Sequence, residues 1–247
     1  MLDGVIESLM RTALALAHDP TSWLCATLVA YAFGMWLYRK SGYSPFLTPL
    51  VTAIVLLVAV LVLTGTDYDT YFQGGSHIHF LLGPATVALA VPLYEQRLRL
   101  AKLWIPLLCG LFAGGTVAIV SAVLIAGWLG ASPEIMISLA PKSVTVPIAM
   151  AVSENLGGIA PLTAALVVIT GVLGAIICRP IFALLGEKDE AVRGFSIGLA
   201  AHGLGTAAAF QMSRETGAFS GLSMGLTGLF TAFAAPALVP WLLRLFS

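Results

Sequence analysis

The hydrophobic residues of this chain fall into eight long runs that short polar segments separate. A helix needs about 20 apolar residues to span a bilayer. Several runs reach that length, and the others approach it. The pattern predicts an all-α polytopic membrane protein with six to eight transmembrane helices. The runs cover residues 23–38, 46–63, 78–94, 103–129, 135–152, 159–178, 195–212 and 219–243.

The composition requires a bilayer as the solvent. Of the 247 residues, 59% are hydrophobic and 10% are charged, and the mean hydropathy is +0.97. A soluble domain carries about 25% charged residues. We expect one membrane core over residues 20–245, preceded by an amphipathic interfacial segment at residues 1–20. The net charge is zero, so nothing indicates a nucleic-acid partner.

Polar residues and helix breakers interrupt two of the runs. Residues 140–155 read APKSVTVPIAMAVSEN, and residues 200–216 read AAHGLGTAAAFQMSRET. Broken helix at membrane depth is tolerated only where protein or a water-filled cavity covers the freed backbone groups. An ionisable side chain there indicates a functional site. A lesser break at Pro84 and Thr86 is either a third such element or a proline kink in an ordinary span.

The distribution of positive charge favours six full spans and two broken, re-entrant elements. Cytoplasmic loops carry an excess of Lys and Arg. If residues 133–158 and 195–215 each enter and leave on one side, nine of the twelve Lys and Arg residues are cytoplasmic. If all eight runs cross, six are cytoplasmic. The N-terminus is then outside.

This topology makes the two broken elements parts of inverted repeats. An offset of 61 residues aligns Thr145 with Thr206 and Glu154 with Glu215. Transporters built from inverted repeats bring discontinuous helices together near the midplane. We therefore expect Thr145 and Thr206 to line one cavity.

Lys142 is the first candidate site residue, together with Ser143 and Thr145. A half-helix that starts here points free N–H groups and a positive dipole end at the site. The Lys142 ammonium adds a full charge, and the two features together suit a carboxylate. Alternatively, Lys142 extends to the membrane surface and Ser143 caps a helix.

His202, Gly203, Gly205 and Thr206 form the second candidate. The glycines let the backbone approach a solute, Thr206 offers a hydroxyl, and His202 could bind the solute or relay a proton. Alternatively, the glycines serve close helix packing and His202 is a hydrogen-bonded core residue.

Glu154 and Glu215 end their elements at matching positions. With His202, they are the candidates for carrying a coupling proton. The alternative is that both are solvated residues at helix ends.

The remaining polar chemistry is sparse. No catalytic motif occurs, so we do not expect an enzyme, a cofactor or a metal site. Cys25, Cys109 and Cys178 are expected to be buried small hydrophobes. Gly110 and Gly114 form a G-x-x-x-G pair, which indicates close helix packing or a homo-oligomer.

Three blocks of the chain resemble the LrgB/CidB family of bacterial membrane proteins. They are LLGPATVALAVPLY at 81–94, APKSVTVPIA at 140–149, and GLAAHGLGTA at 198–207 followed by GAFSGL at 217–222. Val146 stands where the family often has Thr. The resemblance covers roughly residues 20–245.

The resemblance implies a multi-pass protein of the bacterial inner membrane that acts with a small LrgA/CidA-type partner. The family is described as antiholin- or holin-like, modulating murein hydrolase activity and autolysis. Plant chloroplast relatives move glycolate and glycerate, and bacterial relatives are linked to pyruvate uptake. Its crossed, broken helices are similar to those of the cation:proton antiporter and bile-acid transporter superfamily.

Two hypotheses follow for the function. The first is a transporter of small monocarboxylates, in which Lys142, Ser143, Thr145, the 202–206 block, Pro84 and Thr86 bind the solute. The second is an antiholin-like structural modulator of a holin pore that has no solute of its own. Ionisable groups at depth favour the first, because a packing partner has little use for Lys142 and His202.

Overall fold

A computed structural model describes residues 19–42, 47–81, 84, 87–88 and 90–246. Residues 1–18 of the expected amphipathic segment at 1–20 and the candidate Thr86 lie outside these residues. Contacts divide the chain into two compact units, Met1–Ala88 and Leu89–Ser247. Every regular element among the described residues is an α-helix, in agreement with the predicted all-α class.

In the part of the first unit that the structure describes there are three helices, α1 (Pro20–Lys40), α2 (Pro49–Thr64) and α3 (Tyr68–Phe80). Each is preceded by an N-cap residue, Asp19, Thr48 or Asp67, whose side-chain oxygen accepts a first-turn N–H, and α1 and α2 also have proline in the first turn. These are ordinary helix start signals. The hydroxyls of Thr27 and Tyr71, 3.3 Å apart, join α1 to α3.

The second unit contains seven helices among the described residues. Three of them, α5, α8 and α10, are long and apolar enough to cross a membrane. This protein is therefore an all-helical membrane protein, and the count of six full spans stays a prediction. The seven are α4 (Ala90–Glu95), α5 (Arg97–Trp128), α6 (Pro133–Leu139), α7 (Val146–Asn155), α8 (Ala160–Leu185), α9 (Glu190–Met212) and α10 (Arg214–Leu243).

The three long helices of this unit run between two ends, named here after Arg99 and Pro133. At the Arg99 end, the Arg99 guanidinium contacts the carboxylates of Asp189 and Glu215. At the Pro133 end, Pro133 lines a cavity together with Leu243. Helices α5 and α10 therefore run from the Arg99 end to the Pro133 end, and α8 runs back.

Hairpin A, residues 133–158, folds back on itself between α6 and α7. The Ser138 hydroxyl accepts a hydrogen bond from the Ile159 N–H at 2.8 Å. A straight helix over these positions would separate them by about 30 Å. Met136, Ile137 and Val152 share one buried cluster, so the two arms also pack together. Hairpin A thus starts and finishes toward the Pro133 end.

Hairpin B, residues 190–212, is helix α9 folded in half at His202. The backbone of His202 has φ 40° and ψ −135°, which no helical residue adopts. The Ser213 hydroxyl at its far end donates to the Glu190 carboxylate at its start, at 2.8 Å. A straight helix of this length would hold them about 35 Å apart. Both arms therefore return to the Arg99 end.

The two hairpins enter the second unit from opposite ends. Helix α5 precedes hairpin A and helix α8 precedes hairpin B, and these two long helices run in opposite directions. This is the arrangement expected of two inverted repeats. Thr145 is the N-cap residue that follows the turn of hairpin A, and Thr206 lies one turn beyond the break at His202, so the offset of 61 residues stays a prediction.

Small residues on α5 pack inside the unit. A methyl group on Gly110 would lie 3.5 Å from the Phe195 ring, and one on Gly114 would lie 2.9 Å from Leu199. Both partners belong to hairpin B. The predicted close helix packing at this G-x-x-x-G pair therefore occurs within the chain, between α5 and α9.

The cysteines differ from expectation. Cys25 and Cys109 are exposed and Cys178 is half-buried, and all three are free thiols. The prediction of buried cysteines was wrong for the first two. In a membrane protein the outward face of a helix is itself apolar, because lipid rather than water covers it, so an apolar run does not distinguish core from lipid-facing positions.

Candidate functional site

The turns of the two hairpins, tip A at residues 140–145 and tip B at His202 and Gly203, meet at one residue of α8. The Val167 side chain packs in a buried cluster with Val144 of tip A and with Ala149. The Val167 carbonyl lies 2.9 Å from Nε2 of His202. Val167 therefore contacts both tips.

Tip A places Lys142 near this meeting point. The Lys142 Nζ donates to the Ser143 hydroxyl at 3.3 Å, and Ser143 is buried. Among the residues that the structure describes, no carboxylate forms an ion pair with Lys142. Desolvating a cation without a counter-charge is costly, so a half-buried ammonium of this kind is a good binding group for an anion.

The amino end of α7 adds a second electropositive element to tip A. Thr145 is the N-cap residue, but its hydroxyl makes no capping hydrogen bond. Pro147 has no N–H, so Val146 and Ile148 carry the free donors of the first turn. The positive end of the helix dipole points the same way. Lys142 and this helix end together favour a negatively charged solute.

Tip B is built around a strained histidine. His202 is the only non-glycine residue with positive φ in the described part of the chain, and such a conformation costs about 1–3 kcal/mol. A carbonyl can only accept, so the contact with Val167 requires a proton on Nε2. In the neutral ring, Nδ1 then remains as an acceptor.

Glycines on α8 make room for tip B. A methyl group on Gly171 would lie 2.7 Å from the His202 ring, and one on Gly174 would lie 2.5 Å from Ala201 Cβ. Side chains at these positions would push the hairpin off α8. The two α8 glycines, Gly171 and Gly174, therefore permit the packing that sets the tip, and close approach of a solute to Gly203 and Gly205 stays a prediction.

Helix α10 supplies two polar side chains that sequence reasoning missed. Ser223 and Thr227 are 0% and 1% exposed, and their hydroxyls have no hydrogen-bond partner among the described residues. They share a face of α10 with three other buried hydroxyl residues, Thr216, Ser220 and Thr231. The available signal was this helical spacing of Ser and Thr in a long apolar run.

Two more of the predicted residues, Thr206 and Gly205, have partners of their own within the second unit. Thr206 bonds its own helix at the His202 carbonyl (2.8 Å) and the Ser220 hydroxyl on α10 (2.9 Å). Its sharing of a cavity with Thr145 stays a prediction. Gly205 packs against Ala201 within hairpin B, and Pro84 is exposed in the first unit.

A family model described as the LrgB-like family matches residues 27–241. This chain belongs to the LrgB-like family. The resemblance drawn from the three sequence blocks is thereby confirmed.

Relatives of this LrgB-like protein cover most of its length. A Haemophilus influenzae protein is 37% identical over 207 residues, which are 83% of this chain and 90% of the relative. Protein YwbG of Bacillus subtilis is 38% identical over 219 residues, 89% and 97% of the two chains. The antiholin-like protein LrgB of Bacillus subtilis is 30% identical over 221 residues, 90% and 96%. No solved structure matches this LrgB-like chain.

The two glutamates of this LrgB-like protein that were predicted to carry protons lie at the hairpin bases. Glu154 is exposed near the end of α7, and Glu215 pairs with Arg99. Neither carboxylate is near its hairpin's turn, so of the three residues considered for proton coupling only His202 is at a tip.

Arg99 joins both ends of hairpin B to the start of α5. It lies 2.6 Å from the Asp189 carboxylate and also contacts Glu215. Partial burial raises the pKa of Asp189, but hydrogen bonds from the Val192 and Ala191 N–H groups and the Arg99 charge outweigh this and leave the pKa below its ordinary value. The ionised Asp189 carboxylate therefore stabilises the folded protein at neutral pH, and this stabilisation is lost only as the pH falls through that lowered pKa.

We expect Arg99→Gln to loosen hairpin B. Two partly exposed ion pairs are lost, which lowers the free energy of unfolding by about 1 kcal/mol. The decrease is smaller in high salt, because salt screens exposed charges. Thermal unfolding in detergent at low and high salt measures this. Arg97→Gln is the matched control, since the Arg97 guanidinium stacks on the Tyr94 ring. Equal losses in the two variants would contradict the role of Arg99.

Proposed function

We propose that this LrgB-like protein carries short organic monocarboxylates across the membrane and that tip A holds the carboxylate. The observation that carries the proposal is Lys142. It is a half-buried cation without a carboxylate partner among the described residues, beside the uncapped amino end of α7. A carboxylate there would accept hydrogen bonds from the Lys142 ammonium and the free first-turn amides.

The opposed entry of the hairpins suits a carrier. Hairpin A returns to the Pro133 end and hairpin B returns to the Arg99 end, so a solute held between the tips has one hairpin on each side. Movement of either hairpin would open the site to one aqueous phase. Alternating access of this kind around a central site is common among carriers with inverted repeats.

His202 fits the proposal as a neutral hydrogen-bonding group. Its Nε2–H is committed to the Val167 carbonyl, and this contact holds the strained backbone of tip B. The ring could still gain a proton at Nδ1, so a coupling proton would be carried by His202 rather than by Glu154 or Glu215, which lie at the hairpin bases.

The proposed setting is the inner membrane of a bacterium, with a small LrgA/CidA-type membrane protein as partner. Membership of the LrgB-like family and the names of the antiholin-like relatives support this setting. The transport site proposed here lies within one chain, so we expect solute binding without the partner.

Uptake into liposomes tests the proposal. The purified protein is reconstituted alone, and uptake of radiolabelled acetate, propionate, lactate, pyruvate, glycolate and glycerate is compared with uptake into protein-free liposomes. We expect saturable uptake of at least one of these anions and none of a neutral analogue such as glycerol. Absence of carboxylate uptake by folded protein would contradict transport.

A second candidate function is an antiholin-like modulator that affects murein hydrolase activity and autolysis. The observation in its favour is the name of the relatives that are about 30% identical to this chain, the antiholin-like LrgB proteins. The two functions separate in cells that carry Lys142→Met. Autolysis that responds to the variant as to wild type would show that the modulating role does not need the carboxylate site.

A further inference from the structure

Ser223 and Thr227 differ from three other buried hydroxyl residues of the second unit. Hydroxyls in helices commonly donate to the carbonyl four residues earlier. Ser138, Thr163 and Thr206 do so, at 2.6, 3.2 and 2.8 Å. Ser223 and Thr227 make no hydrogen bond to any described residue. A buried hydroxyl without a partner is destabilising because its desolvation is not compensated, so two in one helical turn need an explanation.

Their position along α10 is at the level where the hairpins meet. Toward the Arg99 end, the hydroxyl of Ser220 bonds to hairpin B. Met224 lies beside Gly203 of tip B, since a methyl group added to Gly203 would be 3.8 Å from the Met224 sulfur. One turn farther, the neighbour is hairpin A, because a methyl on Gly228 would be 2.9 Å from Ile148. Ser223 and Thr227 therefore lie where α10 passes from contact with hairpin B to contact with hairpin A.

We propose that Ser223 and Thr227 form a hydrogen-bonding subsite for a second oxygen of the solute, a hydroxyl or carbonyl beside the carboxylate. The subsite rests on the proposed transport function and assigns its selectivity. Ile148, which packs against Gly228 on α10, is also a first-turn residue of α7, so the helix end that would bind the carboxylate lies beside this part of α10. Each hydroxyl can both donate and accept, and either kind of oxygen satisfies it.

Selectivity follows from the cost of an empty subsite. A solute without the second oxygen leaves two buried hydroxyls unpaired, and sites built to bond a hydroxyl discriminate strongly against analogues that lack it. Lactate and propionate differ by that one hydroxyl. We therefore expect the wild-type protein to take up lactate more efficiently than propionate.

The test compares kcat/KM for these two anions in liposomes. In Ser223→Ala/Thr227→Val we expect the lactate-to-propionate ratio to fall about tenfold, the effect of two neutral hydrogen bonds. We also expect thermal stability to stay equal or rise, since unpaired groups are removed. Ser220→Ala is the matched control, because its hydroxyl bonds Thr206. It should lower stability and leave the ratio unchanged.

Two results would overturn the subsite. The first is an unchanged ratio in the double variant, which includes an equal loss of uptake of both anions. The second is a fall in thermal stability, which shows that the hydroxyls are structurally paired, whether or not the protein transports. Uptake of neither anion by folded wild-type protein would instead be the failure of the transport function itself, and the subsite would fail with it.

Discussion

Replacement of Lys142 by methionine is expected to abolish carboxylate uptake or to raise its KM by about 10- to 150-fold. A hydrogen bond to a charged group contributes about 1.5–3 kcal/mol, which corresponds to that range of affinity. The variant should insert normally. Its thermal stability should be unchanged or higher, because a desolvated cation without a described counter-ion is replaced by an apolar side chain of similar length.

Companion variants make this expectation specific. Lys142→Arg should recover uptake in part, since a planar guanidinium does not reproduce a compact ammonium. Thr145→Val should cause a smaller loss, because it removes a neutral donor. Lys188→Met is the control at an exposed lysine between α8 and α9. Saturable uptake by Lys142→Met with wild-type KM would show that the Lys142 side chain extends to the membrane surface and does not bind the anion.

Replacement of Gly198 by alanine is expected to dislodge hairpin B from α10. The new methyl group would lie 2.8 Å from the Ser220 carbonyl carbon and 2.9 Å from its Cα, and it would contact the carbonyl oxygen more closely still. These are backbone atoms of a long helix, which cannot turn away as a side chain can. Overpacking of this kind costs about 1–3 kcal/mol, and the Thr206–Ser220 hydrogen bond is lost with it.

The measurement is thermal unfolding together with lactate uptake for Gly198→Ala and for Gly225→Ala. Gly225 lies on the same α10 helix, and a methyl group there meets no atom within 4 Å. We expect a lower unfolding temperature and little uptake for the first variant and wild-type behaviour for the second. Equal behaviour of the two would show that contact between hairpin B and α10 does not set the site.

The sequence predicted the two breaks because the residues that cause them are local. Pro141 and Pro147 limit the helix on either side of tip A, and polar residues between them mark a covered segment. At tip B we expected the glycines to break the helix, whereas the residue with the non-helical backbone is His202. A non-glycine residue there is accommodated by tertiary contacts, the His202–Val167 hydrogen bond and the space left by Gly171 and Gly174, and periodicity contains no information on such contacts.

The α10 part of the site could not be predicted in the same way. A single Ser or Thr in an apolar helix normally bonds its own backbone, so Ser223 and Thr227 carried no signal individually. What distinguishes them is the absence of that bond and their position opposite both hairpins. The direction of the helices was predicted only from the basic residues, which are concentrated in a few loops, and the side of the membrane that each loop faces stays a prediction.

Solute protection of cysteines at both tips tests the central claim most directly. Ser143→Cys and Gly203→Cys are made separately in a chain whose three natural cysteines are replaced by serine, and each variant is first shown to retain lactate uptake. Glu154→Cys, at the exposed base of hairpin A, is the control. If the two tips line one carboxylate site, lactate slows thiol labelling at both tips over the same concentration range and does not affect Glu154→Cys. Protection of one tip alone, or of neither, would contradict a shared site.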